Sequence, residues 1–218
     1  RLLENFLFFL FPLPTNFYKM KIFRFFPHNK TNDNTLYNDV DVTTIPDTAL
    51  LIQKRPFFIP DFTKQCMAQL VCCIRINRLG RSISQRFAHR YYNMNDITLG
   101  IHFIAHDLLK QLQHENRPWE LAIGFDNAVV VAERKCDTLT EQMHADLQLN
   151  DVTHSCQFET RPLLEVIDRQ IERISEFYTM RQGDILLMPL NMEALLVNID
   201  DNIKLSLNDT HLVSFNIK

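Results

Sequence analysis

Two histidines four residues apart are the first candidates for chemistry in this sequence. His102 and His106 have the i, i+4 spacing that places two imidazoles on one face of a helix. With Cys66 as a third ligand, they would suit a softer metal such as Zn²⁺. The alternative is that His102 lies in a pocket as a neutral, hydrogen-bonded side chain. The residue types alone leave both interpretations open.

The composition excludes several other classes of site. Only 4 of the 218 residues are glycine, and no two are close enough to form a phosphate-binding loop, so the dinucleotide fingerprint and the P-loop are excluded. The 23 basic and 26 acidic side chains leave a net charge of −3. Because such a chain has no basic field, nucleic acid is not an expected partner.

The cysteines and the N-terminal residues indicate the cellular compartment in which the protein is expected. Five cysteines form an odd set without the spacing of a disulfide framework or a zinc motif, which predicts reduced thiols in a cytoplasmic protein. The apolar run at 6–13 is far shorter than the ~20 residues of a membrane span, so no membrane association is expected. We expect residues 1–19 to be an extension outside the domain, either translated upstream sequence or a truncated segment, with Met20 as the natural start.

Apolar, β-favouring runs predict most of the elements that must position these residues. Strands are expected at 20–26, 49–53, 69–76, 97–104, 128–131, 185–188, 203–207 and 212–217, and a polar loop at 28–44. Gly100 inside its strand indicates a bulge or a close backbone approach. Ser82 and Gln85 form a capping-box pattern for a short helix to about residue 90, and the apolar stripe at 162–178 predicts a longer helix. Many strands and few helices, without βαβ alternation, indicate a β-rich α+β domain.

An ordered set of short segments resembles the fumarylacetoacetate hydrolase family of the bacterial type. The segments are FFIPDF (57–62), RLGRSI (78–83), FAHRYY (87–92), TLGI (98–101), PWE (118–120), FDN (125–127), GDIL (183–186) and VSFNIK (213–218). The resemblance covers residues 20–218. It implies one domain with a rolled mixed β-sheet and few short helices, in which residues 20–55 form a small N-terminal portion and 56–218 the main β-roll. It also implies a homodimer.

The chemistry that the resemblance implies depends on a metal. Family members are typically Mg²⁺- or Mn²⁺-dependent, and they hydrolyse, decarboxylate or isomerise 2-oxo and enol acids. The metal is held by a Glu-x-Glu pair on one strand and an aspartate on the following strand, and it stabilises enolate-like oxygens as a Lewis acid.

This sequence departs from the family pattern at each metal ligand. The Glu-x-Glu positions carry Met67 and Gln69, and the aspartate position carries His102. A hard cation would therefore lose three negative charges and most of its ligands. We expect no metal cofactor, with Zn²⁺ at the histidines as the minor alternative.

The substrate pocket departs from the pattern as well. His106 replaces an arginine and Ile123 a lysine, so both cations that would bind a carboxylate are absent. Met188 lies in the segment that replaces a small-residue loop, whereas Asp107 keeps the family identity and serves either the pocket or a backbone cap. His28 resembles the catalytic histidine, but Thr31 replaces the glutamate that should accompany it.

Three hypotheses follow. The first is a family member that keeps the fold and has lost its metal-dependent turnover, acting as a binding or regulatory subunit in a homodimer or in a heterodimer with an intact paralogue. The second is an active enzyme with a rewired site that uses His28, His102 or His106 as an acid or base on a 2-oxo acid. A third hypothesis, a decaying gene product, predicts that residues 20–218 do not melt cooperatively.

Overall fold

A seven-stranded mixed sheet is the main element of the structure, a computed structural model that describes residues 20–27, 40–52, 55–133 and 139–218. Its strands are β1 (Ile22–Pro27), β2 (Val40–Ile45), β3 (Cys66–Arg75), β4 (Thr98–Ala105), β5 (Val129–Val131), β8 (Ile185–Pro189) and β9 (Leu195–Leu196). The strand order is β2-β1-β8-β3-β4-β5, and β9 pairs with β3. β1 and β8 run parallel, whereas the other pairs are antiparallel.

A second sheet of four antiparallel strands and three helices complete the fold. The strands of the second sheet are β6 (Gln142–Leu149), β7 (Val152–Glu159), β10 (Asn202–Leu207) and β11 (Thr210–Asn216), and their order is β11-β10-β6-β7. The α-helices are α1 (Gln85–Ala88), α2 (His106–His114) and α3 (Thr160–Phe177). The fold is therefore the predicted β-rich α+β fold. Among the described residues, no helix is both long and apolar enough to cross a membrane.

The large sheet has an apolar core on each face. The larger core includes Leu70 and Cys72 of β3, Leu205 of β10 and Ile167 of α3, so it joins the two sheets and the long helix. The smaller core includes Val71 and Cys73 of β3 on the other face. Because successive side chains of a strand point to opposite faces, a strand buried on both sides reads as one continuous apolar run. β3 and β8 both show this pattern.

Apart from the segment at 49–53, the predicted strands and the long helix correspond to observed elements, with shifts of a few residues. The helix expected at 162–178 is α3, which buries Ile167, Ile171 and Ile174, whereas Phe177 at its end is exposed. The close approach at Gly100 is also confirmed, because a Cβ there would press on the carbonyl oxygen of Val130 and lie 2.7 Å from the Cys73 sulfur.

Three local predictions are wrong. Residues 40–44 form strand β2 and not a loop, because their backbone pairs with β1. In the described part of the segment expected at 49–53, residues 49–52, the only strand pairing is a single bridge from Leu50 to Val129. Ser82 does not cap a helix, because it has a positive φ of 50° and its N–H donates to the Ser175 carbonyl of α3.

Some elements lie where no prediction was made, and some predictions cannot be compared with the structure. Helix α2 follows directly on β4, and the β6–β7 hairpin covers residues 142–159. The extension expected over residues 1–19, the residues His28 and Thr31, and Cys136 lie outside the described residues.

Candidate functional site

The strand register brings two of the predicted ligand positions face to face. Gln69 in β3 and His102 in β4 are direct cross-strand partners. Met67 is two residues before Gln69 and therefore points to the same side of the sheet. The positions that the family pattern gives to carboxylates thus form one cluster on the face that carries the smaller core.

An arginine from the first strand lies between the two partners. The Arg24 Nε donates to His102 Nδ1 at 2.8 Å, and one terminal nitrogen donates to the Gln69 side-chain oxygen. The other terminal nitrogen donates to the Phe25 carbonyl oxygen at 2.7 Å. Arg24 is 2% exposed, and its guanidinium lies 5.0 Å from the centre of the Phe26 ring. This is a buried guanidinium held by neutral acceptors from β1, β3 and β4.

Both ring nitrogens of His102 are occupied. Nδ1 accepts from Arg24, so Nε2 carries the proton and donates to the Ile123 carbonyl oxygen at 2.7 Å. His102 has no exposed surface, and burial, reinforced by the positive charge of Arg24, lowers its pKa from 6.5 to about 3. His102 is therefore a neutral, hydrogen-bonded side chain with no nitrogen available to a substrate or a metal.

This set of residues does not fit the metal that the fold implies. A hard divalent cation needs several oxygen ligands, mostly ionised carboxylates. Here the corresponding side chains are a thioether, an amide and a neutral imidazole, and a positive charge already lies against two of them. Within the described ranges, no three histidine, cysteine, aspartate or glutamate side chains are grouped closely enough to hold a metal ion.

The geometry also opposes the zinc site that the two histidines suggested. His102 lies in β4, whereas His106 is the first residue of α2, so they do not share a helical face. Cys66 belongs to the larger core, on the opposite side of the sheet from His102. Its thiol pKa is raised to about 12 by burial and by the charge of Asp107, which disfavours the thiolate that zinc binds.

The start of α2 holds two further predicted residues. The Asp107 carboxylate accepts from the Thr63 hydroxyl at 2.5 Å, from the Lys64 N–H at 2.8 Å and from the Leu108 N–H at 3.0 Å. Desolvation raises the pKa of Asp107, but these hydrogen bonds together have the larger effect, so the pKa is lower than its ordinary value. Asp107 therefore fastens the loop before β3 to the helix. His106 is half-buried, and desolvation lowers its pKa.

Ile123 and Met188 occupy different parts of the fold. Ile123 is buried and reaches the cluster through its backbone carbonyl, which accepts from His102. Met188 of β8 belongs to the larger core, together with its cross-strand partner Cys72. It therefore lies on the face of the sheet away from Gln69 and His102.

Arg24 is the residue of this site that the sequence interpretation missed. A signal was present, because Arg24 is the only charged residue in the otherwise apolar run Ile22–Phe26. A charged side chain in a buried strand needs partners inside the protein. Two of its partners, Gln69 and His102, lie 45 and 78 residues away along the chain, so only the fold identifies them.

Comparisons with known proteins give matches in structure and none in sequence. No family model matches the chain, and no curated protein matches it. A fumarylpyruvate hydrolase from Pseudomonas aeruginosa, solved with Mn²⁺ and pyruvate, is 13% identical with a TM-score of 0.73, over 90% of this chain and 88% of that one. A Yersinia pestis protein assigned to the fumarylacetoacetate hydrolase family is 21% identical with a TM-score of 0.73, over 91% and 92%.

An isomerase gives a similar match. The 5-carboxymethyl-2-hydroxymuconate delta-isomerase from Mycobacterium smegmatis is 17% identical with a TM-score of 0.70, over 90% of this chain and 78% of that one. At these identities the similarity shows the fold. The chain has the fold of fumarylacetoacetate hydrolase family proteins.

Proposed function

We propose that this chain is a member of the fumarylacetoacetate hydrolase family that has kept the fold and lost the metal-dependent chemistry. Three observations support the proposal: the ordered motifs along residues 57–218, the shared fold, and the replaced ligands. The observation that carries the loss of chemistry is the buried guanidinium between Gln69 and His102. A divalent cation is disfavoured at a position where a fixed positive charge already contacts the side chains at the ligand positions.

The alternative of a rewired, histidine-based enzyme has less support. A catalytic acid or base must exchange a proton with a substrate within hydrogen-bond reach. His102 is buried, and both its nitrogens are bonded inside the protein. The alternative must therefore depend on His106, the first residue of α2, or on His28.

A binding or regulatory subunit is the role that fits a retained fold without turnover. We expect a homodimer, or a heterodimer with an intact family member, as the family resemblance implies. We place the protein in the cytoplasm, because Cys66, Cys72, Cys73 and Cys156 are all free thiols. Co-expression with an intact family enzyme, followed by native mass spectrometry, tests the partner: mixed dimers support the heterodimer, and exclusive self-association contradicts it.

The central experiment is a metal titration of the purified full chain. Melting curves are recorded with and without Mg²⁺, Mn²⁺ and Zn²⁺, and turnover is assayed with oxaloacetate and an acylpyruvate. The P. aeruginosa fumarylpyruvate hydrolase is the positive control. A cation at about 100 times its dissociation constant would stabilise a binding protein by about 2.7 kcal/mol. We expect a sharp melt that no cation shifts, and no turnover.

Each other outcome contradicts a defined part of the proposal. A shift with Mg²⁺ or Mn²⁺, or metal-dependent turnover, would show that the site retains the family chemistry. Metal-independent turnover that is lost in His106→Ala would favour the histidine-based enzyme. A broad melt without a folded baseline would favour the decaying gene product.

A further inference from the structure

We propose that Arg24 is a built-in cation that takes the place of the metal ion at this site, an inference that rests on the proposed function. Arg24 donates at the same time to Gln69 of β3 and His102 of β4. In the family pattern these two positions carry metal ligands on adjacent strands. The guanidinium therefore lies between the side chains that a metal would join.

The shape of the guanidinium suits this position. It has five N–H donors in one plane, and its three nitrogens donate to one acceptor on each of three strands: the Phe25 carbonyl oxygen of β1, Gln69 of β3 and His102 of β4. A metal joins neighbouring strands through carboxylate oxygens, whereas Arg24 joins them through neutral acceptors. The cation and the acceptors Gln69 and His102 therefore both differ from the metal pattern, in which anionic ligands bind a divalent ion.

The surroundings fix the arrangement. The Ile123 carbonyl oxygen accepts a hydrogen bond from the protonated Nε2 of His102. The other ring nitrogen, Nδ1, is therefore the acceptor that faces Arg24. The Phe26 ring lies 5.0 Å from the guanidinium and 5.0 Å from the ring of Trp119. Arg24 is thus held by hydrogen bonds and by an aromatic side chain, in a position that is 2% exposed.

This inference makes a prediction that the missing carboxylates alone do not make. If only the ligands were lost, restoring Met67→Glu, Gln69→Glu and His102→Asp would restore Mn²⁺ binding. If Arg24 occupies the metal position, the three carboxylates will pair with the guanidinium, and Mn²⁺ will bind weakly unless Arg24→Met is added. Because like charges placed together in a binding site repel each other, we expect Mn²⁺ to bind at least about tenfold more tightly without Arg24.

The experiment compares Mn²⁺ binding by the full chain in four forms. They are the unchanged protein, the three-carboxylate variant, the three-carboxylate variant with Arg24→Met, and the three-carboxylate variant with Arg75→Met. Arg75→Met is the matched control, because Arg75 is an exposed arginine at the end of β3. Binding is measured from the electron paramagnetic resonance signal of free Mn²⁺ and from the melting temperature.

Of the four forms, we expect the three-carboxylate variant that also carries Arg24→Met to bind Mn²⁺ most tightly. Equal affinities in the three variants, or no binding in any of them, would overturn the inference. Mn²⁺ binding by the unchanged protein would instead overturn the proposed function, so the two failures are distinguishable.

A second measurement applies if the multiple variants fold poorly. His102→Asp places one carboxylate beside Arg24, and we expect this variant to melt cooperatively without metal. In the Arg24→Met background the same carboxylate has no cation. We therefore expect His102→Asp to lower the melting temperature by roughly 10 °C more in that background. The inference is overturned if His102→Asp unfolds the chain that retains Arg24, or if it has the same effect in both backgrounds.

Discussion

Acid should destabilise the folded protein through His102. In the native state, burial and the charge of Arg24 lower the pKa of His102 from 6.5 to about 3. In the unfolded chain the imidazole returns to its usual pKa. Between these two values the unfolded state binds one more proton than the native state, so the free energy of unfolding falls as the pH falls.

The size of the effect follows from the two pKa values. At pH 7 both states are mostly unprotonated at His102, and this residue contributes almost nothing to the pH dependence. At pH 5 the native imidazole is still neutral, whereas the unfolded one is almost fully protonated. The difference amounts to about 2 kcal/mol between pH 7 and pH 5, from about 1.4 kcal/mol per pH unit.

The assay compares the protein with His102→Gln. A glutamine can accept from Arg24 and donate to Ile123 but does not titrate. Free energies of unfolding in urea are measured at pH 7, 6 and 5, and the loss between pH 7 and pH 5 should be about 2 kcal/mol smaller for His102→Gln. His106→Gln is the control and should retain most of the acid loss, because His106 is only half-buried. Equal acid losses for the protein and His102→Gln would refute the reasoning.

Two substitutions test local contacts of the fold. Gly100→Ala should destabilise the fold by about 1–3 kcal/mol, because the new Cβ would press on the Val130 carbonyl oxygen and lie 2.7 Å from the Cys73 sulfur; an unchanged urea midpoint would contradict the β4–β5 geometry. Tyr92→Phe removes a hydroxyl that donates to the Asp168 carboxylate at 3.0 Å, and it should cost about 1–2 kcal/mol in the same assay. A neutral or stabilising result for Tyr92→Phe would show that this bond does not hold α3 in place.

The parts of the fold with strong apolar patterns were predictable from the sequence. β3 is a long apolar run because both of its faces are buried, and α3 has a stripe at helical spacing because one of its faces is buried. The β6–β7 hairpin was missed although Met143, Ala145 and Leu147 of β6 alternate with polar residues, the pattern of a half-buried strand; β7 is largely exposed. Helix α2 is short and fully buries only Leu112, although Leu108 and Leu109 pack beside it.

The site was predictable in its positions and not in its contacts. The family resemblance assigned Gln69 and His102 to ligand positions of one site, and in the structure these two residues are cross-strand partners. It did not suggest Arg24, because β1 reaches the cluster from across β8, which lies between β1 and β3 in the sheet. Local periodicity records whether a residue is buried, but it does not record which distant side chain shares its pocket.

The charge of the cluster explains why its substitutions belong together. Carboxylates at these positions without a cation would repel one another in a buried place, and a guanidinium there without acceptors would be an uncompensated buried charge. The combination of Arg24 with a neutral amide and a neutral imidazole avoids both costs. A chain of this fold with arginine at this position of β1 should therefore carry acceptors on β3 and β4 in place of the metal-binding carboxylates. By the same reasoning, a chain that keeps all three carboxylates should carry an uncharged residue at that position of β1.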